Sequence, residues 1–135
     1  GGVYSSAGGI IPKIYAEFDT PGKVEAIYSM GNTIFSGLSD SYGCMITILG
    51  TDASIISTHQ FAIGYKIKGI HQDNGLLALA SWSDGILLYN WNGNDVSFIG
   101  KIETSAKAYN VKVAGNIIFA ATKAGIEIIQ IDYTP

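Results

Sequence analysis

A short motif recurs three times along the chain. Met30-Gly31-Asn32-Thr33-Ile34-Phe35-Ser36 returns as Asp73-Asn74-Gly75-Leu76-Leu77-Ala78-Leu79 and again as Ala114-Gly115-Asn116-Ile117-Ile118-Phe119-Ala120. Asn32, Gly75 and Asn116 stand 43 and 41 residues apart. A period near 40 with strand-forming content is that of a stacked β array, most often propeller blades. One such unit cannot bury its apolar face alone, so it must press against the next copy. The repeat therefore constrains architecture strongly and chemistry weakly.

Each repeat parses into four short strands, a to d. Strand a is expected at Val24–Ser29, Ile67–Gln72 and Ala108–Val113. Strand b follows at Thr33–Ser36, Leu76–Ser81 and Ile117–Thr122, and strand c at Cys44–Leu49, Ile86–Trp91 and Ile126–Asp132. Strand d is expected at Ile55–Phe61 and Val96–Ile102, with a further d-like strand at Lys13–Phe18. The a–b junctions read Gly31-Asn32, Asn74-Gly75 and Gly115-Asn116, residues that tolerate the positive φ of tight hairpins. Gly43, Gly85 and Gly125 recur just before strand c. Strands b and c are almost continuously apolar, which implies cover on both faces. Strand d is more polar, as suits an outermost strand. No segment carries a sustained helical period. The expected class is all-β: a propeller-like array of four-stranded antiparallel blades, about three of them, in an incomplete ring. The blade units run roughly over 24–61, 67–102 and 108–132, in one domain spanning 1–135.

Composition narrows the function. Hydrophobic residues make up 47% of the chain and charged residues 14%, against roughly 25% charged in ordinary globular proteins. Such a chain is expected to bury more surface than one copy can cover. The net charge of −3 argues against a general binder of phosphate backbones. Cys44 is the single cysteine, so no intrachain disulfide forms. No apolar run reaches the roughly 18 residues of a membrane span.

Two stretches carry a family resemblance. The run Ala114–Asp132 has a Gly-Asn turn, an apolar strand, a small-residue turn with Gly125 and an apolar strand ending in Asp132. It resembles the LVIVD-type β-propeller repeat, and Pro12–Gly22 is similar to the stretch that usually follows. The Asp that ends strand c in that pattern is absent after Cys44–Leu49 and Ile86–Trp91. The resemblance implies a propeller, a cell-surface or extracellular location, and no catalytic motif.

The count of blades leaves three readings. Propellers usually have about 4–8 blades, and the strands here amount to three. The chain is then an excerpt of a larger propeller, a half-ring completed by a second copy, or an open stack with another cap. In the second reading, Lys13–Phe18 of one copy completes the blade ending in Ile126–Asp132 of its partner. Residues Gly1–Ile11 are left over, with Val3–Ser6 as a degenerate strand c.

In a propeller the d–a and b–c connections share one face. That face gathers Asp40, Tyr42, Tyr65, Trp82, Asp84 and Tyr109, with Lys107 and Lys123 nearby in the chain. Aromatic rings stack on apolar sugar faces while carboxylates take hydroxyls, so these six are the candidate ligand-binding residues. The competing reading is of turn residues and inter-blade packing. A paired-carboxylate enzyme would need Asp40 and Asp84 about 5–10 Å apart. His59 and His71 lack metal-ligand spacing, and Asp73-Asn74-Gly75 lacks the acidic ladder of a calcium loop. Nothing calls for a metal or a cofactor. The sequence thus favours a non-enzymatic binding or structural module that contacts protein through blade edges or the loop face. The alternative is a carbohydrate-binding propeller.

Overall fold

The computed structural model describes residues 8–132. Eleven strands follow one another: β1 Val24–Met30, β2 Thr33–Leu38, β3 Cys44–Leu49, β4 Ile55–Phe61, β5 Gly69–Asp73, β6 Leu76–Ala80, β7 Ile86–Trp91, β8 Val96–Ile102, β9 Ala108–Ala114, β10 Ile117–Thr122 and β11 Gly125–Gln130. They form three antiparallel meanders. Two sheets have four strands, ordered β1-β2-β3-β4 and β5-β6-β7-β8, and the third has three, ordered β11-β10-β9. The expected three-fold repeat of hairpin-linked strands is therefore present.

Strand ends differ from the sequence reading where neighbouring sheets intervene. Ile67 was expected to open strand a, yet its N–H donates to the Leu38 carbonyl of the preceding sheet at 3.2 Å. The strand β5 consequently begins at Gly69. A β-carbon on Gly69 would lie 2.7 Å from the Asn110 Cα, so the missing side chain lets β9 come close. Likewise β11 stops at Gln130, opposite Ile117, where its pairing partner begins.

The core lies between the sheets. Phe35, Cys44, Ile46 and Phe61 of the first sheet pack on Leu77, Leu79, Leu87, Tyr89 and Trp91 of the second. The opposite face of the second sheet, with Leu76, Ala78, Ile86 and Leu88, packs on Val111, Val113, Ile118 and Ala120 of the third. Edge-on aromatic pairs tie the first interface, with Phe35 and Trp91 centroids 5.1 Å apart and Phe61 and Tyr89 4.9 Å apart. The second sheet is thus covered on both faces, as its continuous apolar strands require. Burial pushes the Cys44 thiol far above its ordinary pKa, which makes it a packing group.

The third sheet departs from expectation. Its inner row faces the second sheet, but Phe119, Ile126 and Ile128 point the other way, with Ile126 and Ile128 exposed at 75% and 68%. Two-sided cover was expected for these strands, and among the described residues only one side is covered. The first sheet is less bare, since Ser36, Leu38, Met45 and Thr47 on its far face are buried, while Ile27 is exposed.

The strand expected at Lys13–Phe18 is not formed. These residues have no regular structure and are mostly exposed, with Ile14 at 77% and Tyr15 at 69%. A strand needs a ladder, and the neighbouring first sheet is already complete with β4 at its outer edge. The degenerate strand expected at Val3–Ser6 lies outside the described residues.

One inter-sheet hydrogen bond depends on pH. The Val113 N–H donates to Nδ1 of His71 at 3.0 Å, which requires that nitrogen unprotonated. Burial, with Lys112 adding to it and Asp73 opposing, holds the His71 pKa below its ordinary 6.5. The unfolded chain then takes up the proton first as pH falls. Stability is full above 6.5 and declines as pH drops below that value toward the folded pKa. The denaturant midpoint is expected to fall between about pH 7.5 and 5.5 and to fall less in His71→Gln, whose amide oxygen can accept the same bond. Equal slopes in both proteins would remove His71 as the cause.

Candidate functional site

The site grows from a repeated irregularity in strand a. Ala26, Gly69 and Asn110 pair with Gly37, Ala80 and Ala121 in the three sheets. The residue before each, Glu25, Lys68 and Tyr109, therefore occupies one equivalent position. The ladder skips Glu25 and Tyr109, each the extra residue of a bulge. Bulges re-aim side chains, here at the cleft between neighbouring sheets.

Trp82 closes that cleft between the second and third sheets. It sits at φ 53°, an uncommon conformation for a bulky residue, costing about 1–3 kcal/mol. Two hydrogen bonds hold it there: its N–H donates to the Ala108 carbonyl at 2.8 Å, and its carbonyl accepts from the Ala108 N–H at 3.0 Å. The loop after β6 is thereby fastened to the start of β9.

Around the ring lies an open pocket of about 430 Å³, lined by Lys68, Trp82, Tyr109, Thr122 and Lys123. Three ammonium groups gather around the Trp82 ring, and two of them, on Lys68 and Lys123, belong to the pocket lining. The Nζ atoms of Lys68, Lys107 and Lys123 stand 5.3, 5.2 and 5.4 Å from the Trp82 ring centroid. Lys68 also pairs with Glu25 Oε1 at 3.1 Å. Lys107 and Lys123 pair with no carboxylate among the described residues. The Thr122 hydroxyl is committed, accepting from the Ala124 N–H and donating to the Gly125 carbonyl.

The six residues read from sequence separate into three places. Trp82 and Tyr109 share the pocket. Tyr65 and Asp84 meet through Lys101, whose Nζ is 3.2 Å from Asp84 Oδ1 and 6.0 Å from the Tyr65 ring centroid. Tyr42 lies against Gly22, where a β-carbon would be 2.6 Å from its ring, and Asp40 occupies a turn at φ 56°. Asp84 is engaged by Lys101, and none of the ion pairs or side-chain hydrogen bonds joins Asp40 to it. Among the described residues no group of three His, Cys, Asp or Glu is placed to hold a metal ion. Lys68 and Thr122 are pocket residues that sequence reading passed over; a lysine in strand a carries no motif. The signal of Lys68 was positional, since it repeats the place of Tyr109.

No family model matches the chain. No curated protein matches it either. Among solved structures, the computationally designed Ika4 protein is similar with a TM-score of 0.58 at 8% identity, over 90% of this chain and 100% of that one. BamB from Moraxella catarrhalis is similar with a TM-score of 0.54 at 12% identity, over 78% of this chain. The fold is a partial propeller. Its three sheets are blades, and this chain spans only 31% of the BamB chain. At such identities the likeness speaks for architecture alone. The LVIVD-type resemblance rests on the quoted residues.

Proposed function

We propose that the chain is a non-enzymatic protein-interaction module whose third blade is completed by Lys13–Phe18 of a second copy. The observation that carries this is a repeated link. After β8, Thr104 Oγ1 donates to the Ala106 carbonyl at 2.6 Å on the way into β9. Before β1, Thr20 Oγ1 donates to the Gly22 carbonyl at the same 2.6 Å. Residues just ahead of the first blade are thus already folded as the connection that leaves a strand d, while the strand itself has no ladder.

The third blade has the matching vacancy. Phe61 pairs with Cys44 and Ile102 with Ile86, each just after a glycine. A β-carbon on Gly43 or Gly85 would strike the carbonyl of that closing residue, whereas at Gly125 no atom of the described residues would lie within 4 Å of it. By the same register Phe18 of the partner pairs with Ile126, and its first blade follows onto Phe119, Ile126 and Ile128. Two-fold exchange of this kind closes a ring without a new fold. The proposed cell-surface or extracellular setting rests on the LVIVD-type resemblance.

Light scattering on the 135-residue chain tests this. The expected mass is twice that of one chain. In an antiparallel ladder alternate N–H groups face one neighbour, so Tyr15→Pro with Ala16→Pro removes at least one donor to β11. The double variant is expected to be monomeric with unchanged strand content by circular dichroism. A wild-type chain monomeric at every concentration would sink the proposal.

A further inference from the structure

We infer that the Trp82 pocket binds an acidic sugar, a pyranose carrying a carboxylate. Three observations converge on that chemistry. The first is charge. Lys68, Lys107 and Lys123 all lie within 5.4 Å of one ring centroid, so any two ammonium groups are within twice that distance of each other. In a chain of net charge −3, lysines are not gathered by an overall excess of positive charge. Their mutual repulsion is relieved when an anion sits among them, and among the described residues only Lys68 of the three has a carboxylate partner.

The second is the inventory of polar groups. A neutral sugar offers hydroxyls as donors and needs acceptors in return. The pocket lining holds no Asp, Glu, Asn or Gln, and its Thr122 hydroxyl is already engaged. The acceptors closest to it are engaged: Asn110 Oδ1, next to Tyr109, accepts from the Val111 N–H, Glu25 Oε1 is paired with Lys68, and Asp84 is held by Lys101. Free capacity in the lining is therefore almost all donor, from the Lys68 and Lys123 ammonium groups and the Tyr109 hydroxyl, with Lys107 beside the same ring, so the ligand must bring the acceptors.

The third is shape. Trp82 and Tyr109 both line a concave space of about 430 Å³. That space exceeds what the carboxylate of an aspartate or glutamate side chain fills and suits one or two pyranose rings. An apolar pyranose face stacks on indole, while the carboxylate draws the lysines toward itself. The strained backbone of Trp82 and its two hydrogen bonds to Ala108 hold the ring in place beforehand. The site is whole within one chain, so it does not depend on blade completion.

Tryptophan fluorescence reads the site directly, because Trp91, the other tryptophan, is buried in the core. The probes are a galacturonate trisaccharide, its neutral galactose counterpart, inorganic phosphate and an Asp/Glu-rich peptide. The trisaccharide is expected to change the emission saturably, and to do so less as salt rises. Lys107→Gln with Lys123→Gln, two surface changes, should weaken that response roughly tenfold or more. Trp82→Phe should abolish it, and neither variant should alter the mass in solution. Equal binding of the neutral trisaccharide, displacement by phosphate or peptide at equal concentration, or an unchanged lysine double variant would each overturn the assignment. So would silence at millimolar galacturonate trisaccharide.

Discussion

Gly85→Ala is expected to destabilise the protein by about 3 kcal/mol or more, read as a fall in the denaturant midpoint. Two effects add. Gly85 sits at φ 76°, where a side chain is strained. Its β-carbon would also meet the Ile102 carbonyl, with the carbonyl carbon 3.2 Å and the Glu103 Cα 3.3 Å away. Those neighbours are backbone, so relief requires parting β7 from β8. Gly115→Ala separates the two effects. It has a similar φ of 63° with nothing within 4 Å, so conformational strain of about 1–2 kcal/mol is its whole cost. Similar losses at the two glycines would show that the clash with Ile102 is absorbed and the argument wrong.

Leu87→Ala should be comparably severe, at about 2–5 kcal/mol. Leu87 is fully buried between the first two blades and pairs across the ladder with Leu79 and Lys101. Its removal leaves a cavity that rigid sheets on both sides collapse poorly. Against a typical total stability of about 5–15 kcal/mol, that is a large share. Ile128→Ala is the comparison. The residue is equally apolar but 68% exposed in one chain, so its loss should change single-chain stability by less than about 0.5 kcal/mol. If blade completion occurs, the same variant should shift the monomer–dimer balance instead. A Leu87→Ala chain that unfolds at the wild-type denaturant concentration would contradict the core described for the first interface.

Much of the array was legible because its causes are local. Asn32, Asn74 and Asn116 mark hairpins through the backbone their types allow. Gly43, Gly85 and Gly125 mark the start of strand c through their positive φ of 74°, 76° and 124°. Alternating turn and apolar segments then place the eleven strands to within a residue or two. Less legible were the ends governed by neighbouring blades, such as Ile67, whose amide leaves its own sheet for Leu38. Lys13–Phe18 has the composition of strand d, but composition supplies no ladder.

The candidate site divides in the same way. Trp82 and Tyr109 were readable as aromatic residues near connections. Their meeting was not, because it depends on a bulge at Tyr109 and on how far the second blade turns relative to the third. Tyr42 and Tyr65 had the same aromatic signal and lie elsewhere, against Gly22 and Lys101. Lys68 had no signal beyond its repeat position.

What the amino-acid order alone determined is the repeating unit: a meander of short strands, its turns, and the apolar rows that force one sheet against the next. These follow from interactions between residues close in the chain. The tertiary structure decided which faces are covered, which edge is left open at β11, and which side chains gather around Trp82. Those outcomes depend on the angle and spacing between blades, set by packing among residues some 40 positions apart, and no local pattern encodes them.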